Sequence, residues 1–91
     1  MYINLKFTMK NVAIIMGGYS SEYKISLTSG NVVFNNINRS KFNPYRIHIF
    51  KEKWVYVDEN DTEFPIDKND FSVTVNGTKI NFDVVFNAIH G

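Results

Sequence analysis

The 91-residue chain contains no cysteine and only two histidines, two prolines and one tryptophan. Without cysteine it can form no disulfide and no thiolate metal site, which fits a reducing compartment. The two histidines, His48 and His90, are too far apart in the sequence and have too few neighbouring ligands to indicate a zinc site. We therefore expect no metal site within these residues.

Long apolar runs and an excess of one charge are also missing. No segment approaches the roughly 20 apolar residues of a transmembrane helix, and the first residues lack the pattern of a signal peptide. The net charge is +1 with both signs scattered, so neither a nucleic-acid nor a membrane partner is expected. We expect a soluble, cytoplasmic protein, and the length and 44% hydrophobic content suit one small folded domain.

The most informative segment is an apolar run at residues 12–16 that leads directly into Gly17-Gly18 and an amphipathic stretch. This order is typical of a buried strand, a tight turn and a helix start, where α/β proteins often place ligand-binding groups. The strand is apolar on both faces, which predicts a central position in a sheet covered on both sides. We interpret the glycines as a turn with positive φ, because the dinucleotide fingerprint Gly-x-Gly-x-x-Gly is absent.

The charged residue at the predicted helix start is Glu22. Free backbone N–H groups and the helix dipole make this place an anion site, and a carboxylate here would repel a phosphate. Glu22 therefore suits an ammonium group better than a nucleotide. The structural alternative is a glutamate that only stabilises the helix dipole, by about 0.3–1 kcal/mol.

The helix is predicted from about residue 21 to 37, with Ser20 or Ser21 as its N-cap. Its expected apolar face carries Ile25, Val32, Val33 and Ile37, flanked by Leu27 and Phe34. Gly30 in mid-helix costs about 1 kcal/mol relative to alanine, and we attribute it to a close approach between helix and strand.

The rest of the chain predicts β-structure. Residues 45–50, opened by Pro44, form a second strand, and residues 54–57 are its hairpin partner or its extension. Residues 58–70 are acidic, contain Pro65 and are predicted to be a surface loop. Asn76-Gly77, flanked by residues 71–75 and 78–82, predicts a hairpin with a type I′ turn. Residues 83–89 predict another central strand, with His90 and Gly91 at its carboxyl end.

These elements predict an α/β fold with a Rossmann-like, mostly parallel sheet and a β-hairpin insertion. We place the domain at residues 10–91, after an N-terminal extension at residues 1–9. One helix cannot cover both faces of a parallel sheet, and a parallel strand normally leads into a crossover helix. We therefore expect a fragment of a larger protein, truncated after the last strand.

Two segments together resemble the signatures of one enzyme family, the D-alanine–D-alanine ligases. The first, residues 15–22 (IMGGYSSE) continuing through Ile25, Ser26, Leu27, Ser29 and Gly30, resembles the amino-terminal motif. The second, residues 83–91 (DVVFNAIHG), resembles the start of the next motif. Their order and spacing also fit, and the resemblance covers about residues 10–91.

The resemblance implies the first, pre-ATP-grasp domain of a three-domain enzyme that joins two D-alanines for peptidoglycan and so supports cell shape. In that family ATP phosphorylates the carboxylate of the first D-alanine, and the amine of the second attacks the acyl phosphate. ATP and Mg²⁺ (or Mn²⁺) would be bound by the domains that this chain lacks. The fragment alone is expected to be inactive, and the enzyme is expected to be a homodimer.

The resemblance also assigns roles to residues by their place in the motifs. Glu22 would bind the ammonium of the first D-alanine and act as the catalytic residue of this domain. Ile25 would be the apolar contact to the same substrate, and His90 would lie by substrate and phosphate. A departure follows Glu22, where many members have a basic-acidic pair and this chain has Tyr23-Lys24.

Two further interpretations stay open at this point. The second substrate of the whole enzyme could be D-alanine, D-lactate or D-serine, because the residues that select it lie outside this chain. A different class of function is a non-catalytic Rossmann-like module for ligand binding or dimerisation.

Overall fold

The computed structural model describes residues 9–89. Over these residues the chain forms one helix and seven strands. Residues 1–8 of the predicted extension at residues 1–9 lie outside the described range, and so does the predicted site residue His90. In chain order the elements are β1 (Lys10–Gly17), α1 (Tyr23–Asn36), β2 (Phe42–Ile49), β3 (Trp54–Val57), β4 (Glu63–Asp67), β5 (Ser72–Val75), β6 (Thr78–Asn81) and β7 (Val84–Asn87).

The strands form one sheet in the order β6-β5-β4-β3-β2-β1-β7. β1 pairs in parallel with β2 and with β7, whereas the four pairings from β2 to β6 are antiparallel. The α/β class and the hairpin are confirmed, but the prediction of a mostly parallel sheet is wrong. Short polar turns, rather than crossover helices, join the strands from β2 to β6, and short turns require antiparallel neighbours.

β1 lies inside the sheet, as its sequence predicted. Val12, Ile14 and Met16 face α1, and Ala13 packs on the opposite side with the residues of the other strands. All four side chains are at most 3% exposed. Both faces of this strand are therefore covered, which explains why residues 12–16 are apolar without alternation.

The second face of β1 is covered by the sheet itself. Tyr45 on β2 and Phe82 beside β6 have ring centroids 5.4 Å apart, although three strands separate β2 from β6 in the sheet. Trp54 and Phe71 approach similarly, at 6.4 Å. The sheet therefore curls so that its far hairpin closes over the core, and a second layer of helices is not needed on this side.

Two predictions, of a loop at 58–70 and of a central strand at 83–89, are wrong because they depend on which strands pair with each other. The predicted loop at 58–70 contains β4, which pairs with β3 through Pro65 opposite Val55. Proline is tolerated because β4 pairs with β5 only from Ile66 onward. The predicted central strand at 83–89 is β7 at the sheet edge, where Val84, Val85 and Phe86 are 42–50% exposed.

The turns follow the sequence closely. Asn76 and Gly77 both have positive φ, 51° and 83°, and Val75 pairs with Thr78, as a type I′ hairpin requires. Residues 54–57 form the antiparallel hairpin partner of β2, which decides between the two alternatives for that segment. Pro44 lies within β2, in a part of the strand that has no pairing with β3.

The exposed face of α1 differs from the expected one. Ile25 and Val32, predicted to face the core, are 57% and 55% exposed. The buried residues of the helix are Ser26 and Gly30, one turn apart. Small side chains allow the helix to approach β1 closely, and this contact determines which face turns inward.

His48 on β2 gives the domain a predicted pH dependence. Its Nε2 is buried and has no hydrogen-bond partner among residues 9–89, and burial, helped by the positive charge of Arg46, lowers its pKa from the ordinary value. The unfolded chain therefore binds the proton at His48 more readily than the folded domain does. The contribution of neutral His48 to the free energy of unfolding is complete above about pH 6.5 and falls as the pH drops below that value. Urea unfolding between pH 5 and 8 should show this fall, and H48L should reduce it. An identical pH slope in the variant would contradict the assignment.

Candidate functional site

The candidate site is built at the carboxyl ends of β1 and β2. Gly17 and Gly18 have φ of 102° and 106°, so the strongly bent turn after β1 needs glycine at both positions. A Cβ on Gly17 would also lie 3.0 Å from the carbonyl oxygen of Ile49. The Gly18 N–H donates to that same oxygen at 2.7 Å, which joins the turn to the end of β2.

A cleft of about 500 Å³ opens beside this turn. On one side lies the segment that leads into α1, and on the other lies the end of β2 with one cationic and one anionic side chain. Its walls are Gly18, Tyr19, Ser20, Ser21, Tyr23, Phe50, Lys51 and Glu52. In α/β sheets, ligands bind outside the carboxyl ends of strands where the strand order reverses. β1 has that position, because the chain proceeds to β2 on one side and returns to β7 on the other.

Glu22 is the N-cap residue of α1, between two residues that line this cleft. Its side chain is exposed and makes no capping hydrogen bond with the helix. The prediction of a serine N-cap is therefore wrong. Ser20 still contributes to the helix start, because its Oγ accepts a hydrogen bond from the Glu22 N–H at 3.1 Å.

Ile25 follows Glu22 by three residues, which places both on the same side of the first helical turn. The side chain of Ile25 is 57% exposed, so it does not belong to the core of the described domain. An exposed isoleucine beside an exposed carboxylate presents an apolar and an anionic contact side by side.

Ser26, to which the sequence analysis gives no role beyond its place in the first motif, connects the elements that form the candidate site. It is 0% exposed, and its Oγ donates to the carbonyl oxygen of Ala88 at 2.6 Å and accepts from the Gly17 N–H at 2.9 Å. It therefore joins the glycine turn, the start of α1 and the end of β7, two residues before His90. A signal was present in the sequence, since Ser26 and Gly30 are small residues spaced four apart on a helix that packs on a strand.

The described residues offer no metal centre. No group of three or more histidine, aspartate or glutamate side chains in residues 9–89 lies close enough to hold a metal ion. No helix within the same residues is long and apolar enough to cross a membrane.

Comparison with known proteins places this geometry in a family. Residues 11–91 match the family model described as D-ala D-ala ligase N-terminus. A D-alanine–D-alanine ligase from Flavobacterium johnsoniae is 78% identical over 83 residues, which are 91% of this chain and 26% of that protein. Another from Christiangramia forsetii is 51% identical over 82 residues, 90% of this chain and 25% of that protein.

Solved structures agree with the sequence comparisons. D-alanyl-alanine synthetase A from Vibrio cholerae has a TM-score of 0.73 and 28% identity, over 92% of this chain and 25% of that one. The VanG D-Ala:D-Ser ligase from Enterococcus faecalis has a TM-score of 0.72 and 28% identity, over 92% of this chain and 30% of that one. The chain thus spans about a quarter of the length of the relatives that it matches. Because the family model covers nearly the whole of this sequence, the chain belongs to the family of D-alanine–D-alanine ligase amino-terminal domains.

Proposed function

We propose that this chain is the domain that binds the first substrate in an ATP-dependent ligase joining two D-alanines, through an acyl phosphate, for peptidoglycan synthesis. The observation that carries the proposal is the exposed carboxylate of Glu22 at the start of α1, beside the cleft at the carboxyl end of β1. Family membership supplies the class of reaction.

The charge of Glu22 supports an ammonium ligand. A phosphate at the helix start would meet the carboxylate and be repelled, whereas a protonated amine gains a charge-assisted hydrogen bond. The helix dipole favours a negative charge at the same place, and the Glu22 side chain forms no capping hydrogen bond that would compete with that ligand.

Ile25 and His90 complete the proposed contacts to the first D-alanine. Ile25 is exposed and one turn from Glu22, which suits contact with the methyl group of the substrate. His90 is proposed to lie by the substrate and its phosphate, as its motif position implies. The bond from Ser26 to Ala88 supports this, because it fixes the chain close to the start of α1 just before His90.

The other requirements of the reaction are assigned to the rest of the protein. ATP and Mg²⁺ (or Mn²⁺) would be bound by further domains, since residues 9–89 contain no suitable cluster of ligands. We infer that the domain comprises residues 10–91 after an extension at 1–9, because β1 begins at Lys10. A cytoplasmic homodimer is proposed by analogy with the family.

The test is an assay of the complete enzyme of which this chain would be the first quarter. With ATP, Mg²⁺ and D-alanine it should release phosphate and form D-alanyl-D-alanine, whereas the 91-residue chain alone should form none. Reactions with D-lactate or D-serine added beside D-alanine identify the second substrate. A complete enzyme that is folded but makes no D-alanine-containing product would contradict the proposal.

Calorimetry on the 91-residue chain tests the competing class of function. A nucleotide-binding module should bind ADP or NAD by itself, whereas the domain proposed here should bind neither. Measurable affinity for either nucleotide would favour the non-catalytic module.

A further inference from the structure

The ladder between β1 and β7 is interrupted where the candidate site begins. The two strands pair from Val12 opposite Val84 to Ile15 opposite Asn87, and the Ala88 N–H donates to the carbonyl of Ile15 at 2.9 Å. In a parallel ladder of this register the next bond would run from the Gly17 N–H to the carbonyl of Ala88.

The hydroxyl of Ser26 occupies the place of that bond. The Gly17 N–H donates to Ser26 Oγ at 2.9 Å, and Ser26 Oγ donates to the Ala88 carbonyl at 2.6 Å. A hydroxyl group can donate one hydrogen bond and accept two, so it satisfies both strand ends at once. Because the hydroxyl oxygen lies between them, the Gly17 N–H and the Ala88 carbonyl are further apart than they would be in a direct hydrogen bond.

We propose that Ser26 is a positioning residue for substrate binding, an inference that rests on the proposed function. Its hydroxyl holds the carboxyl ends of β1 and β7 apart and fixes the end of β7 against the first turn of α1. The backbone of the same residue is tied to Glu22, because the Ser26 N–H donates to the Glu22 carbonyl at 3.1 Å. One buried residue thus sets the spacing between the ammonium-binding carboxylate and the segment that leads to His90.

Removing the hydroxyl should alter this spacing in one of two ways. Gly17 and Ala88 can bond directly, which draws the end of β7 toward β1. Otherwise both groups lose their partner inside a fully buried site, and the end of β7 is no longer anchored to α1. Both outcomes displace the segment before His90 relative to Glu22, while the carboxylate itself is unchanged.

The test is the steady-state kinetics of S26A in the complete enzyme. Misplacing one binding group by about 1 Å can reduce a rate as much as 100-fold, so we expect kcat/KM for D-alanine to fall by about 10- to 100-fold. Most of the loss should appear as a higher KM for the first D-alanine. S26C fills the site and offers only a weak donor, so it should show a smaller change in the same direction.

Two control variants separate positioning from a general loss of stability. V73A opens a cavity in the core on the other face of the sheet, and T28A removes an α1 hydroxyl that donates to the carbonyl of Lys24 within its own helix. Both should keep the wild-type KM, although V73A should unfold at a lower temperature.

The outcomes are distinguishable from failure of the proposed function. If the wild-type enzyme forms no dipeptide, the proposed function is wrong and this inference falls with it. If the wild type is active and folded S26A has the same KM and kcat, Ser26 is only structural. If S26A does not fold, the KM and kcat of S26C are compared with those of the wild type instead. A wild-type KM in S26C would then overturn the proposal.

Discussion

In the complete enzyme, E22Q should raise the KM for the first D-alanine and lower turnover while leaving the fold intact. Glutamine keeps the shape of the side chain but removes the charge that the ammonium group would meet. Loss of one partner of a charge pair in a binding site costs about 2–3 kcal/mol, which corresponds to a fall in kcat/KM of about 30- to 150-fold. Initial-rate measurements over a range of D-alanine concentrations give both constants.

A matched substitution distinguishes this effect from a change in overall charge. Glu59 is also exposed but borders a different pocket, shared with Phe34 and Arg39, so E59Q should keep the wild-type constants. The melting temperature of E22Q should fall by at most a few degrees, because the Glu22 side chain caps no helix amide and the variant loses only the interaction of its charge with the helix dipole. Wild-type kinetics in E22Q would refute the role given to Glu22.

The local part of the site could be predicted from the sequence because its causes are local. A buried strand followed by two glycines, two serines and a glutamate specifies a sharp turn and a helix start within about ten residues. The structure agrees on the turn and on where Glu22 lies relative to the helix. It differs on the cap, since either serine was expected and Glu22 itself occupies that position.

The bridge through Ser26 could not be predicted in the same way. Its hydroxyl joins Gly17, nine residues earlier, to Ala88, 62 residues later, and no local pattern encodes the second contact. The register of β7 against β1 has to be known before the missing bond in the ladder can be recognised. The spacing of Ser26 and Gly30 indicates only that this face of the helix approaches something closely.

The errors in the fold have a common physical origin, which is that burial depends on neighbours far away in the sequence. Residues 84–86 look central because they are apolar, yet β7 has a partner on only one side among the described residues. The acidic surroundings of β4 and its Pro65 predict a loop, although Phe64 and Ile66 lie two residues apart on one face, as a strand requires. The second face of β1 needs no helix because the far strands of the sheet curl over it.

Replacing Gly30 by alanine should destabilise the domain, against the usual preference of helices for alanine. A Cβ at this position would lie 2.8 Å from the Cβ and the Cε of Met16. Met16 is 0% exposed and belongs to the central strand, so neither side chain nor backbone has free space to retreat. Overpacking of this kind costs about 1–3 kcal/mol, whereas helix propensity gains roughly 1 kcal/mol, so the net loss of stability lies between about 0 and 2 kcal/mol. We expect the upper end, because the contact involves a Cβ fixed to a strand.

Thermal unfolding of the 91-residue chain measures the effect, at about 4–8 °C for each kcal/mol in a domain of this size. T28A on the exposed side of the same helix gains helix propensity and loses only the exposed hydroxyl bond to Lys24, so it should leave the melting temperature unchanged or slightly raised. A higher melting temperature in G30A than in T28A would show that α1 and β1 are not in close contact.

The same substitution connects stability to the site. Pushing α1 away from β1 at Gly30 also strains the bond between Ser26 Oγ and the Gly17 N–H one turn earlier in the helix. In the complete enzyme, G30A should therefore raise the KM for the first D-alanine. V73A should leave this KM unchanged even where it lowers the melting temperature by the same amount. If both variants leave KM unchanged, the spacing between α1 and β1 has no part in substrate binding.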